Sequence, residues 1–293
     1  MATATVAPTL AAPQPRQFVV ARRLWNDKIG LLGGLVFLAI VLITLAAPLV
    51  APADPDKISL PARFAPVGSP GHPLGADAFG RDLLSRIIWG GRTSLAVGLS
   101  ATLIAMSFGI VLGSISGYVG GITDTVMMRV TDVLLAFPYI LLAIVIVGAL
   151  GPGLFNAMLA VAISGIPFYI RLMRGMVLSL RQTQYVDAAT AMGATHSRII
   201  TRAIFPSILP YIIVSFSINV GWLILEAAGL SFLGLGAQPP TSEWGAMLAE
   251  ARNYVTTNPH AAIVPGMAIF VVVMSLNLFG DALRDALDVR LRD

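Results

Sequence analysis

Apolar runs separated by short polar breaks dominate the chain, and their lengths set its class. Six runs, at 29–50, 94–118, 124–150, 154–173, 207–228 and 261–279, are each about as long as the roughly 20 helical residues needed to cross a bilayer core. The pattern predicts an all-α integral membrane protein with six transmembrane helices. One stretch in the middle of the chain departs from it. Between Tyr185 and Pro210, Tyr185, Ala188, Ala189 and Met192 recur at i, i+3, i+4 and i+7, one face of a helix. Gly193 interrupts, and Ile200, Ala203 and Ile204 resume an apolar stripe with Arg198, Thr201 and Arg202 opposite. The expected form is two short amphipathic helices hinged at Gly193 and closed by Pro206 and Pro210. A water-side hairpin of this kind between two spans requires something to dock on.

The other polar breaks carry their own expectations. Residues 1–15, mostly Ala, Thr and Pro, read as a tail with little to bury. Ala51-Pro-Ala53 resembles a signal-peptidase site, but the run before it exceeds the 7–15 or so residues of a signal peptide's apolar region, so an uncleaved span is expected. In the 51–92 segment, Leu83, Leu84, Ile87 and Ile88 outline a short amphipathic helix on the outer membrane surface, with Asp82 and Arg86 spaced as an i, i+4 ion pair and Trp89 at headgroup level. Along the second span Ala101, Ala105, Gly109, Gly113, Gly117 and Gly121 fall every fourth residue, a seam that lets two helix backbones approach closely. In the third, Arg129 and Asp132 read as a pair, and Pro138 predicts a kink. Pro167 lies in the fourth span, and Asn219 and Glu226 lie in the fifth. Asn219 reads as interhelical glue and Glu226 as an outer-rim residue bonded to the backbone that follows it.

Composition and charge narrow the class. Hydrophobic residues make up 56% of the 293 and charged residues only 12%, half the share usual in soluble domains. Lys28 and Lys57 are the two lysines, and Arg supplies the rest of the +4 balance. Of the 19 basic residues, 13 fall on segments assigned to the inside if the N-terminus is cytoplasmic, and 6 outside. That bias orients both termini inward and places 175–206 in the cytoplasm. The excess charge is therefore read as topology, not as nucleic-acid binding. There is no cysteine, and His72, His196 and His260 lie far apart, so neither thiolate chemistry nor a metal site is expected.

Several mechanisms lose their residues here. Neither lysine lies in G-x-x-x-x-G-K-[ST], so the chain is not expected to bind ATP in a P-loop. A Ser/His pair, HExxH or GxGD, as an intramembrane protease requires, is missing. An ion-coupled carrier working without an ATPase would need paired ionisable groups near midplane; Asp132 and Glu226 are the candidates. A third reading is a non-transporting scaffold whose hairpin recruits a cytoplasmic protein. From spacing alone the hairpin fits docking and an inner-leaflet amphipathic element equally well.

The stretch DAATAMGATHSRIITRAIFP closely resembles the EAA loop of permease subunits in bacterial ABC importers, matching it at Asp187, Ala188, Ala189, Gly193, Ile204 and Pro206. Asp187 stands where Glu is usual, and Phe205 where Leu is usual; both keep the chemical type. HPLGADAFGRDLLSR, GLSFLGLGAQPP and NLFGDALRDALDVRLR resemble, in the same order, segments of the second permease of dipeptide/oligopeptide-type importers. The resemblance implies the type I permease fold with a cytoplasmic coupling helix, in a multi-pass protein of the bacterial cytoplasmic (inner) membrane. It implies a heterodimer with a related permease, two cytoplasmic ATPases that use ATP and Mg, and an external substrate-binding protein. The chain itself would bind no cofactor and catalyse no reaction. Its expected divisions are a cytoplasmic tail at 1–28, a first span with an external amphipathic segment at 29–93, a five-helix core at 94–281 with the coupling hairpin at 179–206, and a tail at 282–293. The resemblance leaves the cargo and the substrate-binding residues open.

Overall fold

The computed structural model describes residues 22–287; the expected tails at 1–15 and beyond 287 lie outside the described residues. Ten helices carry the fold: α1 (Lys28–Leu45), α2 (Leu83–Val119), α3 (Gly121–Leu135), α4 (Tyr139–Leu150), α5 (Leu154–Arg181), α6 (Gln184–Ala191), α7 (His196–Ile199), α8 (Phe205–Phe232), α9 (Trp244–Ala251) and α10 (His260–Leu287). Five continuous helices are long and apolar enough to cross a membrane, counting α7 to α8 as one, and α3 with α4 makes a sixth, broken span. Six crossings match the hydrophobic pattern, although two of them are built differently from expectation.

The parallel pair α2 and α5 forms the centre, held by the most extensive helix contact in the molecule. Its seam explains that closeness. A Cβ added at Gly109 would lie 2.1 Å from the Tyr169 Cβ, and one at Gly113 would lie 2.6 Å from the Ile170 carbonyl. At Gly117 the Arg174 carbonyl is 2.8 Å away, and the Ala105 methyl faces Gly165. Gly121 departs from the stripe. It sits at φ +61° in the turn after α2, with open space around it, so it serves the backbone turn and not helix packing. Around this pair, α8 lies against α2 and α10, α4 lies on α5, and α1 runs along α10.

The expected surface helix at 83–92 is the first turns of α2, which continues unbroken for 37 residues. A division at 93/94 therefore falls inside a helix, and so does one at 281/282. Leu83 and Ile88 are buried, and the Trp244 indole N–H donates to the Ile87 carbonyl at 3.0 Å, so these turns are covered by protein. Asp82 and Arg86 do not pair. Asp82 instead caps α2, accepting from the Ser85 N–H at 2.8 Å. The Arg86 guanidinium reaches Asp77 at 2.5 Å and Glu250 at 2.7 Å. Arg81 bonds the same two carboxylates, at 2.6 and 2.5 Å. Two cations and two anions thus clamp the 51–82 segment onto α9. Glu243 caps α9 through the N–H groups of Gly245 and Ala246, and it accepts from the Ser94 hydroxyl at 2.9 Å.

At Pro138 the third span breaks by 92° instead of kinking. Pro138 has no N–H to donate and pushes the residue before it out of helical conformation, and α4 starts afresh at Tyr139. Asp132 does not pair with Arg129 but with Arg171 of α5. The bidentate Arg174–Asp124 pair, at 2.5 and 2.6 Å, ties α3 to α5 one turn further on.

Candidate coupling hairpin

α6 is a two-turn helix whose end is shaped by its sequence. Gly193 adopts φ +78°, a left-handed conformation that costs glycine little. The Gly193 N–H donates to the Thr190 carbonyl at 2.9 Å and the Ala194 N–H to the Ala189 carbonyl at 3.1 Å. These two bonds are the Schellman pattern, which satisfies the last carbonyls of α6 and reverses the chain. Ala189 and Ala194 pack partly into the same apolar cluster below.

The hairpin is rooted by Val186, Ile199 and Ile204, all buried against Tyr118, Met173 and Val177 toward the C-terminal ends of α2 and α5. Its other side is bare. Tyr185, Asp187, Ala188 and Met192 are exposed, Met192 at 81%. Asp187 lies in the first turn of α6, where a helix N-terminus favours negative charge. Among the described residues its carboxylate has no hydrogen-bond partner. The polar anchor is Tyr118, whose hydroxyl lies 3.1 Å from the His196 Nδ1, with the Arg181 guanidinium 5.8 Å from the Tyr118 ring centre.

The second arm of the hairpin is not a separate helix closed by prolines. α7 passes through a π-helical turn at Ile200–Ile204 straight into α8. The Phe205 N–H reaches back five residues to the Ile200 carbonyl. This wider turn precedes Pro206, whose missing N–H falls in the first turn of α8, where helices tolerate proline. Pro210 is also absorbed inside α8. Hairpin and fifth span are therefore one 37-residue element, His196–Phe232.

Of the residues singled out from the sequence, Asp187, Ala188, Ala189 and Gly193 lie together on α6 and its turn, whereas Ile204 is buried at the root and Pro206 is exposed beside it. Two polar residues in α8 behave differently from expectation. The Asn219 amide donates within its own helix, to the Ser215 carbonyl at 2.7 Å. Glu226 makes no bond to the backbone after it and has no partner among the described residues. Sequence reading missed the clamp of Asp77, Arg81, Arg86 and Glu250. Its only local trace is the i, i+4 spacing of Asp77 and Arg81; Glu250 arrives from 169 residues away. In this loop, burial pushes the Asp77 carboxyl up. The Arg81 and Phe79 N–H groups and the two guanidiniums outweigh that and hold it below the usual carboxylate range.

Six spans around a close parallel pair, with a hairpin bare on one face, define a multi-spanning membrane subunit. The chain belongs to the family described as binding-protein-dependent transport system inner membrane component, which it matches over residues 109–293. It is a multi-pass inner-membrane permease subunit of the ABC importer type. Residues 17–66 match the N-terminal TM domain of oligopeptide transport permease C.

Its relatives include the glutathione transport system permease protein GsiD of Pectobacterium atrosepticum, 45% identical over 92% of this chain and 90% of that one. The dipeptide transport system permease protein DppC of Alkalihalophilus pseudofirmus is 42% identical over 92% and 89%. The di/tripeptide transport system permease protein DppC of Pseudomonas aeruginosa is 41% identical over 98% and 96%. Among solved structures the fold resembles inward-facing MetNI methionine ABC transporter, with TM-score 0.53 and 20% identity over 68% of this chain and 97% of that one.

Proposed function

We propose that this chain forms half of the translocation pathway of an ATP-driven importer for peptides or similar small solutes, and that the 185–206 hairpin is its mechanical input. The other half would be a related permease. Two cytoplasmic ATPases would bind ATP and Mg, and an external binding protein would deliver cargo. Both termini would face the cytoplasm, as the distribution of basic residues requires. A peptide-like cargo is supported by the names of the relatives, which carry glutathione, dipeptides or di/tripeptides.

The observation that carries this reading is the two-sided hairpin, its inner face buried on α2 and α5 and its outer face bare. Ala188 lets a partner surface approach closely, Met192 offers a deformable apolar contact, and Asp187 offers a charge for a basic group. Because α7 and α8 are continuous, a push on the hairpin moves a rod about 55 Å long as one body. ATP-driven closure of the ATPases would thereby rock the spans between inward- and outward-open states.

The test is reconstitution of the chain with its related permease, ATPase pair and binding protein in proteoliposomes. Uptake of labelled dipeptide should require ATP hydrolysis, and Gly193→Pro should abolish it or disrupt assembly, because proline cannot adopt φ +78°. Unchanged uptake and assembly in Gly193→Pro would sink the coupling role. Uptake that survives ATP depletion and collapses with an ionophore would instead identify an ion-coupled carrier.

A further inference from the structure

Resting on the peptide-import reading above, we propose that the α8 face bearing Ser215, Asn219, Trp222 and Glu226 lines the cargo path, and that the Glu226 carboxylate receives the ammonium group of a peptide-like cargo. The four residues are spaced four, three and four apart, one stripe of a helix. All are at least partly accessible, with Trp222 at 51%, whereas Leu223 at the edge of the stripe and Val220, Ile224 and Ala227 on the other side are buried in the apolar core. The stripe gathers the polar side chains of this span that tertiary contacts leave unsatisfied. The Asn219 carbonyl oxygen has no partner among the described residues, and neither has the Glu226 carboxylate.

Position and charge single out Glu226. It lies six residues before Phe232, the end of α8, so about 9 Å along the helix from that end, within the apolar span. By contrast, the acidic groups of the broken third span are paired, Asp124 with Arg174 and Asp132 with Arg171. A lone carboxylate facing lipid is costly, so an intramembrane one faces water, a partner or a substrate. The exposed stripe of α1 shows the contrast: Ile29, Leu32, Leu35, Leu38 and Leu42 are uniformly apolar, as a lipid-facing surface should be. A carboxylate and an indole one helical turn apart on the same accessible stripe can together attract a cation, by charge and by cation–π contact. The cation that every unblocked peptide carries is its terminal ammonium.

The experiment uses the complete importer in proteoliposomes, with cysteines removed from the partner subunits; this chain has none. Single cysteines replace Ser215, Asn219 or, as the lipid-side control, Leu38. A membrane-impermeant methanethiosulfonate should modify Ser215→Cys and Asn219→Cys in at least one nucleotide state and leave Leu38→Cys untouched. No modification of either stripe position in any state overturns the path assignment. In parallel, Glu226→Gln should lower alanyl-alanine uptake per ATP by about tenfold, the scale of losing one charge-assisted hydrogen bond. ATPase stimulation by the loaded binding protein should persist, and Glu226→Asp should recover most of the uptake. Unchanged uptake in Glu226→Gln overturns the ammonium role. So does loss of complex assembly in that variant, which would mean that the carboxylate pairs with a cation of the second permease. If the unsubstituted complex takes up no alanyl-alanine, the peptide reading fails and the ammonium role with it, while the labelling still decides the face.

Discussion

Glycine-to-alanine changes in the central helix pair should have opposite signs depending on the face, and the structure gives the sizes. In Gly109→Ala the new methyl would lie 2.1 Å from the Tyr169 Cβ and 3.0 Å from the Tyr169 carbonyl carbon. Carbon atoms in contact prefer about 3.5–4.0 Å, so α2 and α5 must separate by well over 1 Å at that level. Neither atom is the far end of a flexible side chain, so little can give way locally. Overpacking of this kind costs about 1–3 kcal/mol. Alanine recovers about 0.5–1 kcal/mol of that through its better helix propensity, leaving a net loss of about 0.5–2 kcal/mol. Gly175→Ala, on the exposed side of α5 with nothing within 4 Å of the new methyl, collects the propensity gain without the clash and should stabilise by about 0.5–1 kcal/mol. Equilibrium unfolding of the purified protein in mixed detergent micelles measures both. Gly109→Ala as stable as Gly175→Ala would refute the close-approach account of the α2–α5 seam.

Three further outcomes follow from the hairpin root and the ion-pair clamp. Ile204→Ala removes a fully buried side chain from the base of the hairpin; a loss of about 2–5 kcal/mol is expected, read as faster proteolysis at 184–204 before the rest of the chain opens. Glu250→Gln leaves Arg81 and Arg86 with Asp77 as their only carboxylate, so about 3 kcal/mol should be lost. Thermal melting of this variant beside Arg252→Gln, outside the clamp, checks that figure. Because the Asp77 carboxyl is held below its ordinary value, its contribution is complete above the unfolded value of about 3.9 and disappears as pH falls through the lower folded value. The native protein should therefore lose stability below about pH 4 more steeply than Asp77→Asn, and parallel acid-denaturation curves would contradict that assignment.

The clamp and the hairpin differ in how far they could be read from residues. Gly193, with alanines before it and an apolar stripe after it, announces a helix end and a turn because both depend on neighbours within six positions. The prolines misled for a related reason. Pro206 breaks a helix in isolation, but a π-helical turn placed just ahead of it lets α7 and α8 run on as one element. Arg86 has Asp82 at helical spacing, yet Asp77 and Glu250 win it, since Asp82 is engaged as the cap of α2. Spacing offers possible partners; burial and competition choose among them.

Glu226 makes the same point from the other side. Its position in the fifth span was plain from the sequence, but its isolation was not, because an unmet carboxylate is defined by every group that fails to reach it. What the sequence determined by itself was the number of crossings and the place of the hairpin, both set by hydrocarbon length and local backbone chemistry. The tertiary structure alone decided which glycines meet a neighbouring helix, which arginines share which carboxylates and which face of α8 keeps its polar groups unsatisfied. Those outcomes depend on contacts between distant segments, such as Arg81 and Glu250, 169 residues apart, and no local pattern encodes a partner brought in by folding.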